Sequence, residues 1–304
     1  MPDAARRATL RALGVTDGQL RASAYRSPFR GVHADASIPP SVERRIRDVV
    51  PLLPPGAAVG GWAAAWWHGA RDLDGVGRDG ELPVLVCVPR TRSVRPRPGL
   101  RVLRSDLATE EVTVVRGVPV TSAVRTAVDL ARLSGEPRRG VIAVDALWAA
   151  GATTGPAVLA HLDERRLRGT PVARRAAELA AAGVRSPQET ELRMIWTLDA
   201  GLPRPLVNER VVDEEGGHLG RVDLLDEEAG LAGEYDGRGH LALEVATVDN
   251  VRQEGLERHG LVIARFTAID TRPAHRRRTV HRLQDAHRRG LATTGPRRWH
   301  VARV

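Results

Sequence analysis

The sequence predicts an α/β (α+β) chain of more than one domain, and three observations carry that expectation. Two strand-like runs, Arg221 to Asp226 and Leu231 to Asp236, flank the short segment Glu227-Glu228-Ala229-Gly230 and read as a β-hairpin. Helix-period segments stand on either side of it, Pro187 to Leu198 and Val245 to His259. The 304 residues suffice for two or three domains, and 42% hydrophobic with 27% charged residues describes a folded chain with no disordered composition.

Residues 4–34 give a helix, AARRATLRAL, a stop at Gly14, a second short helix from Thr16 or Asp17, and a short β-wing in YRSPFRGVHA. This part resembles the end of a winged helix-turn-helix, which would place its second helix in the major groove of DNA. The first helix of that motif is cut short, so the winged unit is partial. From Pro39 to about Leu133 the order is a helix striped with Val42, Ile46, Val49 and Val50, then GGWAAAWWHGA, the strand-like PVLVCVP, GLRVLRS and GVPVTSAVRTAVDLAR. Trp62 and Trp66 are four apart with Trp67 beside them, a core-filling spacing, and His68 before Gly69 reads as a helix end. Arg125 and Asp129, also four apart, read as an ion pair.

This order, through Arg30-Gly31-Val32, Ala64 to Gly69 and Pro119 to Ala131, resembles the AbiEi family of antitoxins. The resemblance implies the DNA-binding, autoregulating half of a toxin–antitoxin pair, with DNA and a cognate toxin as partners. Alanine-rich helices follow from Val141 to Ala182, and Gly183 to Pro187 is the best boundary. The expected organisation is a partial winged-helix segment (1–38), an antitoxin-like α/β region (39–140), a helical connector (141–185), a C-terminal domain (186–290) and a basic tail (291–304).

The hairpin holds the charges that a folded core would not choose. Pairing across a four-residue loop sets Asp223 opposite Glu234, and the two-residue period of a strand puts Asp236 on the same face as Glu234. Like charges directly opposed destabilise a sheet, so three converging carboxylates make sense around a divalent cation or a shared proton. Oxygen ligands of this kind suit Mg²⁺ or Mn²⁺, ions that polarise phosphodiesters and lower the pKa of a bound water. The plain alternative is a surface hairpin whose exposed positions are acidic.

The series SPQETELR (Ser186 to Arg193), RVD (Arg221 to Asp223), GEYDGRGH (Gly233 to His240), Asp249 with Arg252, Leu256 and Gly260, and ARF (Ala264 to Phe266) resembles the restriction-endonuclease-like fold. Within that fold it is similar to the branch of the very-short-patch-repair endonucleases, over residues 185–290. The resemblance implies a mixed sheet flanked by helices and metal-dependent cleavage of DNA. It makes Asp223 the main metal ligand, Glu234 the second and Glu189 a helix carboxylate that orients the ion or its water, with Asp236, His240 and Arg252 assisting catalysis. The usual lysine position is Asp236, and all 46 basic residues of the chain are arginine, so His240 and Arg252 are the candidate cations.

Each of these residues also has a structural reading. Ser186 and Glu189 fit a capping box at the start of a helix with Pro187 in its first turn. His240 fits an exposed loop position. Arg252 fits an intrahelical pair with Asp249, against a functional role of holding a phosphate.

The net charge is +9 with a pI near 11.1. Residues 271–304 hold ten arginines and one acid, Asp285, so the excess lies in the tail. A helix there with Val280, Leu283 and Ala286 or His287 inward could bring Arg276, Arg277 and Arg278 to phosphates. A solvated helix face in an arginine-biased protein is the other reading. The single Cys87 lies in an apolar run and excludes an intramolecular disulfide. No apolar run approaches the roughly 20 residues of a membrane span, and the start lacks a signal-peptide core, so a cytoplasmic protein without a membrane partner is expected. The functional expectation is a metal-dependent endonuclease joined to an antitoxin-like region. Its alternative is a non-catalytic DNA-binding regulator or antitoxin.

Overall fold

The structure is a computed structural model that describes residues 4–77, 79–165, 167–237 and 243–302, with the backbone alone described over 243–249. The chain divides into two compact units, Met1–Glu178 and Leu179–Val304.

The first unit begins with β1 (Ala4–Arg6), α1 (Arg7–Ala12), α2 (Asp17–Arg21), β2 (Tyr25–Phe29) and β3 (Val32–Asp35). The Thr16 side chain and Gln19 form a reciprocal capping box that starts α2. Ala5, Leu10 and Leu20 make a small core under the antiparallel sheet β1-β3-β2. Next come α3 (Val42–Arg47), β4 (Ala58–Gly60), α4 (Gly61–Trp67), the two-residue strands β5 (Val76–Gly77) and β6 (Gly80–Glu81), β7 (Val84–Val88), β8 (Leu100–Arg104), β9 (Val112–Val115) and β10 (Val118–Thr121). The expected helix through Val42, Ile46, Val49 and Val50 ends at Arg47, and a 3₁₀ turn with Pro51 carries the rest.

Five strands form a sheet in the order β8-β7-β4-β10-β9, in which β7/β8 and β4/β10 are parallel. Arg116 and Gly117 both take positive φ, 49° and 79°, and turn β9 into β10 as a tight hairpin. Trp62 and Trp67 are buried with Val59, Val86 and Val120, and Trp66 packs against that core from its margin. His68 follows the end of α4, and its Nε2 lies 2.8 Å from the Thr121 carbonyl. Four helices complete the unit: α5 (Ala123–Leu133), α6 (Pro137–Ala149), α7 (Gly155–Glu164) and α8 (Thr170–Leu179).

The second unit contains α9 (Pro187–Met194), β11 (Leu206–Asp213), β12 (His218–Asp226), β13 (Leu231–Asp236), α10 (Leu243–Arg258), β14 (Val262–Thr267), α11 (Arg276–Leu291) and β15 (Trp299–Val301). The helix expected to reach Leu198 is regular only to Met194 and continues as a π turn over Ile195–Asp199. The sheet order is β14-β13-β12-β11-β15, with β13/β14 parallel and the other pairs antiparallel. It is a mixed sheet with helices on both faces. Leu192, Trp196, Leu283 and Ala286 pack with Leu224 and Phe266 in one core, whereas Leu256 of α10 packs with Val222, Leu225 and Ala232 in another.

Gly233 lets the Trp196 ring pack close to β13, where an added Cβ would lie 3.0 Å from the ring and push it back by a few tenths of an ångström. The basic segment after residue 290 is not only a tail: Trp299–Val301 pairs with Val211–Asp213 and buries Trp299. Among the described residues, no helix is long and apolar enough to cross a membrane.

Candidate functional site

The hairpin forms in the expected register, with Asp226 paired to Leu231, Leu225 to Ala232 and Leu224 to Gly233. One step further the ladder would set Asp223 against Glu234, but regular pairing stops there. Asp223 Oδ2 instead accepts the backbone N–H of Tyr235 at 2.8 Å. Both carboxylates thereby line one pocket of about 160 Å³, together with Arg221, Tyr235, Asp236, Gly237, Arg252 and Arg265. Burial raises the Asp223 carboxyl from 3.8 to about 6. The neighbouring charges of Glu189 and Glu234 push the same way, against the Tyr235 N–H and Arg252. Tyr235 is raised too, by burial first and then by Asp236.

Glu234 is 7% exposed and closely partnered. Arg252 meets both its oxygens, Nη1 to Oε1 and Nη2 to Oε2 at 3.0 Å each, and also donates to the Arg221 carbonyl at 2.9 Å. Arg265 sits beside Glu234 in the parallel register of β13 and β14, with its Nε 3.5 Å from Oε2. Asp236 is exposed at the pocket rim.

Glu189 does not line the pocket; it holds the start of α9. Its N–H donates to Ser186 Oγ at 3.2 Å, and Ser186 Oγ returns a bond to Oε1 at 3.1 Å. Oε2 accepts from the Arg185 N–H at 2.9 Å and from Asn208 Nδ2 at 2.8 Å. The carboxylate is therefore engaged in capping, the structural reading of the two. Sequence reasoning missed Asn208, which takes φ 54° inside β11 and is 5% exposed. A signal was present, since asparagine is depleted in strands and enriched where φ is positive.

His240 lies outside the described residues, as does the Asp249 side chain. Arg276 is bound to Glu191 at 2.8 Å and Asp199 at 3.4 Å, tying α11 to α9 and its π turn, whereas Arg277 and Arg278 are exposed. Among the described residues, no three of His, Cys, Asp and Glu stand together as a group able to hold a metal ion. Asp223, Glu234 and Asp236 are oxygen donors of the right chemistry for Mg²⁺ or Mn²⁺, but Glu234 is already neutralised by two arginines.

A second ionic cluster, in the first unit, was visible in the sequence only as its Arg125–Asp129 pair. Arg125, fully buried, meets Asp129 and Glu111 at 3.0 Å each and donates to Ser105 Oγ at 2.8 Å. Glu111 is held below the usual carboxylate range: burial opposes this, but the Ala108 N–H, Arg125 and Arg165 prevail. The cluster joins the turn before β9, helix α5 and the C-terminal end of α7, and is a structural device.

Residues 57–181 match the family model of the AbiEi antitoxin C-terminal domain. That stretch is similar to an AbiEi-type antitoxin domain, and its elements form a mixed α/β architecture. No curated protein and no solved structure matches the chain.

Proposed function

We propose that this protein is a DNA-binding regulator of the antitoxin type, whose second unit retains a nuclease-like sheet as a binding scaffold. The observation that carries this reading is the match to the antitoxin domain over residues 57–181. The partial winged helix of residues 4–35 supports it as a DNA-contacting piece, and a cognate toxin is the second partner implied. The Arg252–Glu234 ion pair agrees with it, because a guanidinium that donates to Oε2 and stands 3.0 Å from Oε1 competes with a metal ion for that carboxylate.

A second reading, a metal-dependent DNA endonuclease, is favoured by one specific observation. Asp223 and Glu234 come from adjacent strands and line one pocket in a unit with the element order helix, three antiparallel strands, helix, parallel strand. That order agrees with the restriction-endonuclease-like resemblance. In this reading Asp223 and Glu234 would hold Mg²⁺ or Mn²⁺, which supplies Lewis-acid activation of water and phosphate, and Asp236 would stand at the rim. Arg252 would first have to exchange Glu234 for a substrate phosphate.

One experiment separates the two. Purified protein is assayed for binding to its own promoter DNA and for nicking of supercoiled plasmid in magnesium, manganese or EDTA, beside Asp223→Ala and Glu234→Ala. Specific binding with no nicking is the expected result. Nicking that needs metal and disappears in both variants would replace the regulator with the endonuclease, and neither binding nor nicking would remove both.

A further inference from the structure

A basic concavity of the second unit lies between the sheet-edge strand β14 and helix α11. It encloses about 660 Å³, and its charged lining is Arg265, Arg282, Arg288 and Arg289 against the single acid Asp285. Arg282 is balanced by Asp270 at 2.7 Å, and Arg288 pairs with Asp285. Arg289, like Arg277 and Arg278 on the same helix, has no acidic partner among the described residues. The surface therefore carries a real positive excess at defined positions.

Three features identify what such a surface fits. First, Arg265 is common to the linings of this groove and of the acidic pocket, its side chain reaching Glu234 and its carbonyl meeting Arg282, so the two adjoin at this residue. Second, Arg282 Nη2 donates to the Arg265 carbonyl, so an arginine occupies the open edge of β14 and disfavours an added peptide strand. Third, no aromatic side chain lines the groove, which removes base stacking and leaves charge as its recognition chemistry. Arg278, Arg282 and Arg289 recur at four and seven residues, about 6 and about 10 Å along the helix axis.

We propose that the arginine groove between β14 and α11 is a sequence-independent track for the phosphodiester backbone of DNA, leading past Arg265 to the acidic pocket. The proposal rests on the DNA-binding reading above and adds the surface that does it. It moves the contact from Arg276, which is committed to Glu191 and Asp199, to the face carrying Arg289, unpaired among the described residues, beside Arg288 and Arg282, which each share their charge with one acid.

The test uses the full chain. Arg288→Gln/Arg289→Gln removes two exposed cations whose one structural tie is a surface pair within the helix. DNA binding should weaken by about 5- to 30-fold at low salt, with the salt slope falling by about 1 to 2. In parallel, Arg289→Cys is labelled with a photo-crosslinker, Cys87 being buried and silent, beside Glu214→Cys in the exposed β11–β12 turn. Crosslinking of DNA from position 289 and not from 214 is expected. Wild-type binding with an unchanged slope in the double variant and no crosslink at 289 would overturn the track while leaving DNA binding elsewhere intact. Absence of DNA binding by the wild type would overturn the DNA-binding reading itself, and the track with it.

Discussion

Arg252 grips Glu234 with both guanidinium nitrogens at 3.0 Å, and the carboxylate it grips is almost fully covered. Removing one partner of such a pair leaves the other without its desolvation compensated. Arg265 remains at 3.5 Å and softens the loss. Arg252→Ala should therefore destabilise the second unit by about 1 to 3 kcal/mol in urea unfolding. Glu234→Gln added to it should recover part of that, because the orphaned charge is gone. Strict additivity of the two substitutions would show that the pair is not coupled.

Asp223 makes stability depend on pH in a direction that can be worked out. Its carboxyl rises from 3.8 to about 6 on folding, so between those values the folded chain holds a proton that the unfolded chain has released. The contribution is fully present below about pH 4, declines as pH rises, and is lost above about pH 6. Asp223→Asn keeps an acceptor for the Tyr235 N–H and abolishes the titration. The variant should match the wild type near pH 4 and exceed it at pH 8 by up to about 2 kcal/mol, discounted for partial exposure. Parallel stability curves from pH 4 to 8 would contradict this.

The hairpin was legible because its signals are local: two alternating runs, a four-residue loop and a glycine give both the elements and their register. That register brought Asp223 and Glu234 to neighbouring strands, although the ladder stops one pair short of opposing them and Asp223 accepts the Tyr235 N–H instead. What Glu234 does was not legible, because its partners Arg252 and Arg265 arrive from α10 and β14, about 20 and 30 positions later, and an arginine-only basic complement gives no way to tell them apart. Glu189 illustrates the opposite limit. Both of its readings were visible in Ser186–Glu189, and only the buried Asn208, placed by a positive φ within a strand, weighs toward capping. In the first unit, Arg125 and Asp129 were an evident helix pair, but Glu111 joins them from a loop before β9 that no helical spacing connects to α5.

That cluster gives a prediction of its own. Arg125 is the shared cation of Glu111 and Asp129, and all three are buried. Arg125→Met should cost about 3 to 5 kcal/mol, more than any surface pair in the chain. Adding Asp129→Asn should return part of the loss, although Arg132 still expects its partner at 2.7 Å. A loss below about 1 kcal/mol in the single variant would mean that water or Arg165 replaces the missing guanidinium.

Two helical glycines should respond oppositely to the same substitution. Gly290, in the last turn of α11, lies against the hairpin turn, and an added methyl would clash with the Ala229 carbonyl oxygen. That carbonyl cannot withdraw freely, since the Ala229 N–H is bonded to Asp226 at 3.0 Å and Asp226 also meets His287 at 3.2 Å. Gly255, in α10, has nothing within 4 Å of the added atom. Helix propensity favours alanine over glycine by about 1 kcal/mol at either site, so Gly255→Ala should raise stability by about that amount. At Gly290 the clash opposes propensity with a cost of about 1 to 3 kcal/mol for overpacking against backbone, and Gly290→Ala should be destabilising. Thermal unfolding of the two variants beside the wild type reads the sign directly. A stabilised Gly290→Ala would mean that α11 does not dock on the hairpin through this contact, which would also displace Arg282, Arg288 and Arg289 from the edge of β14.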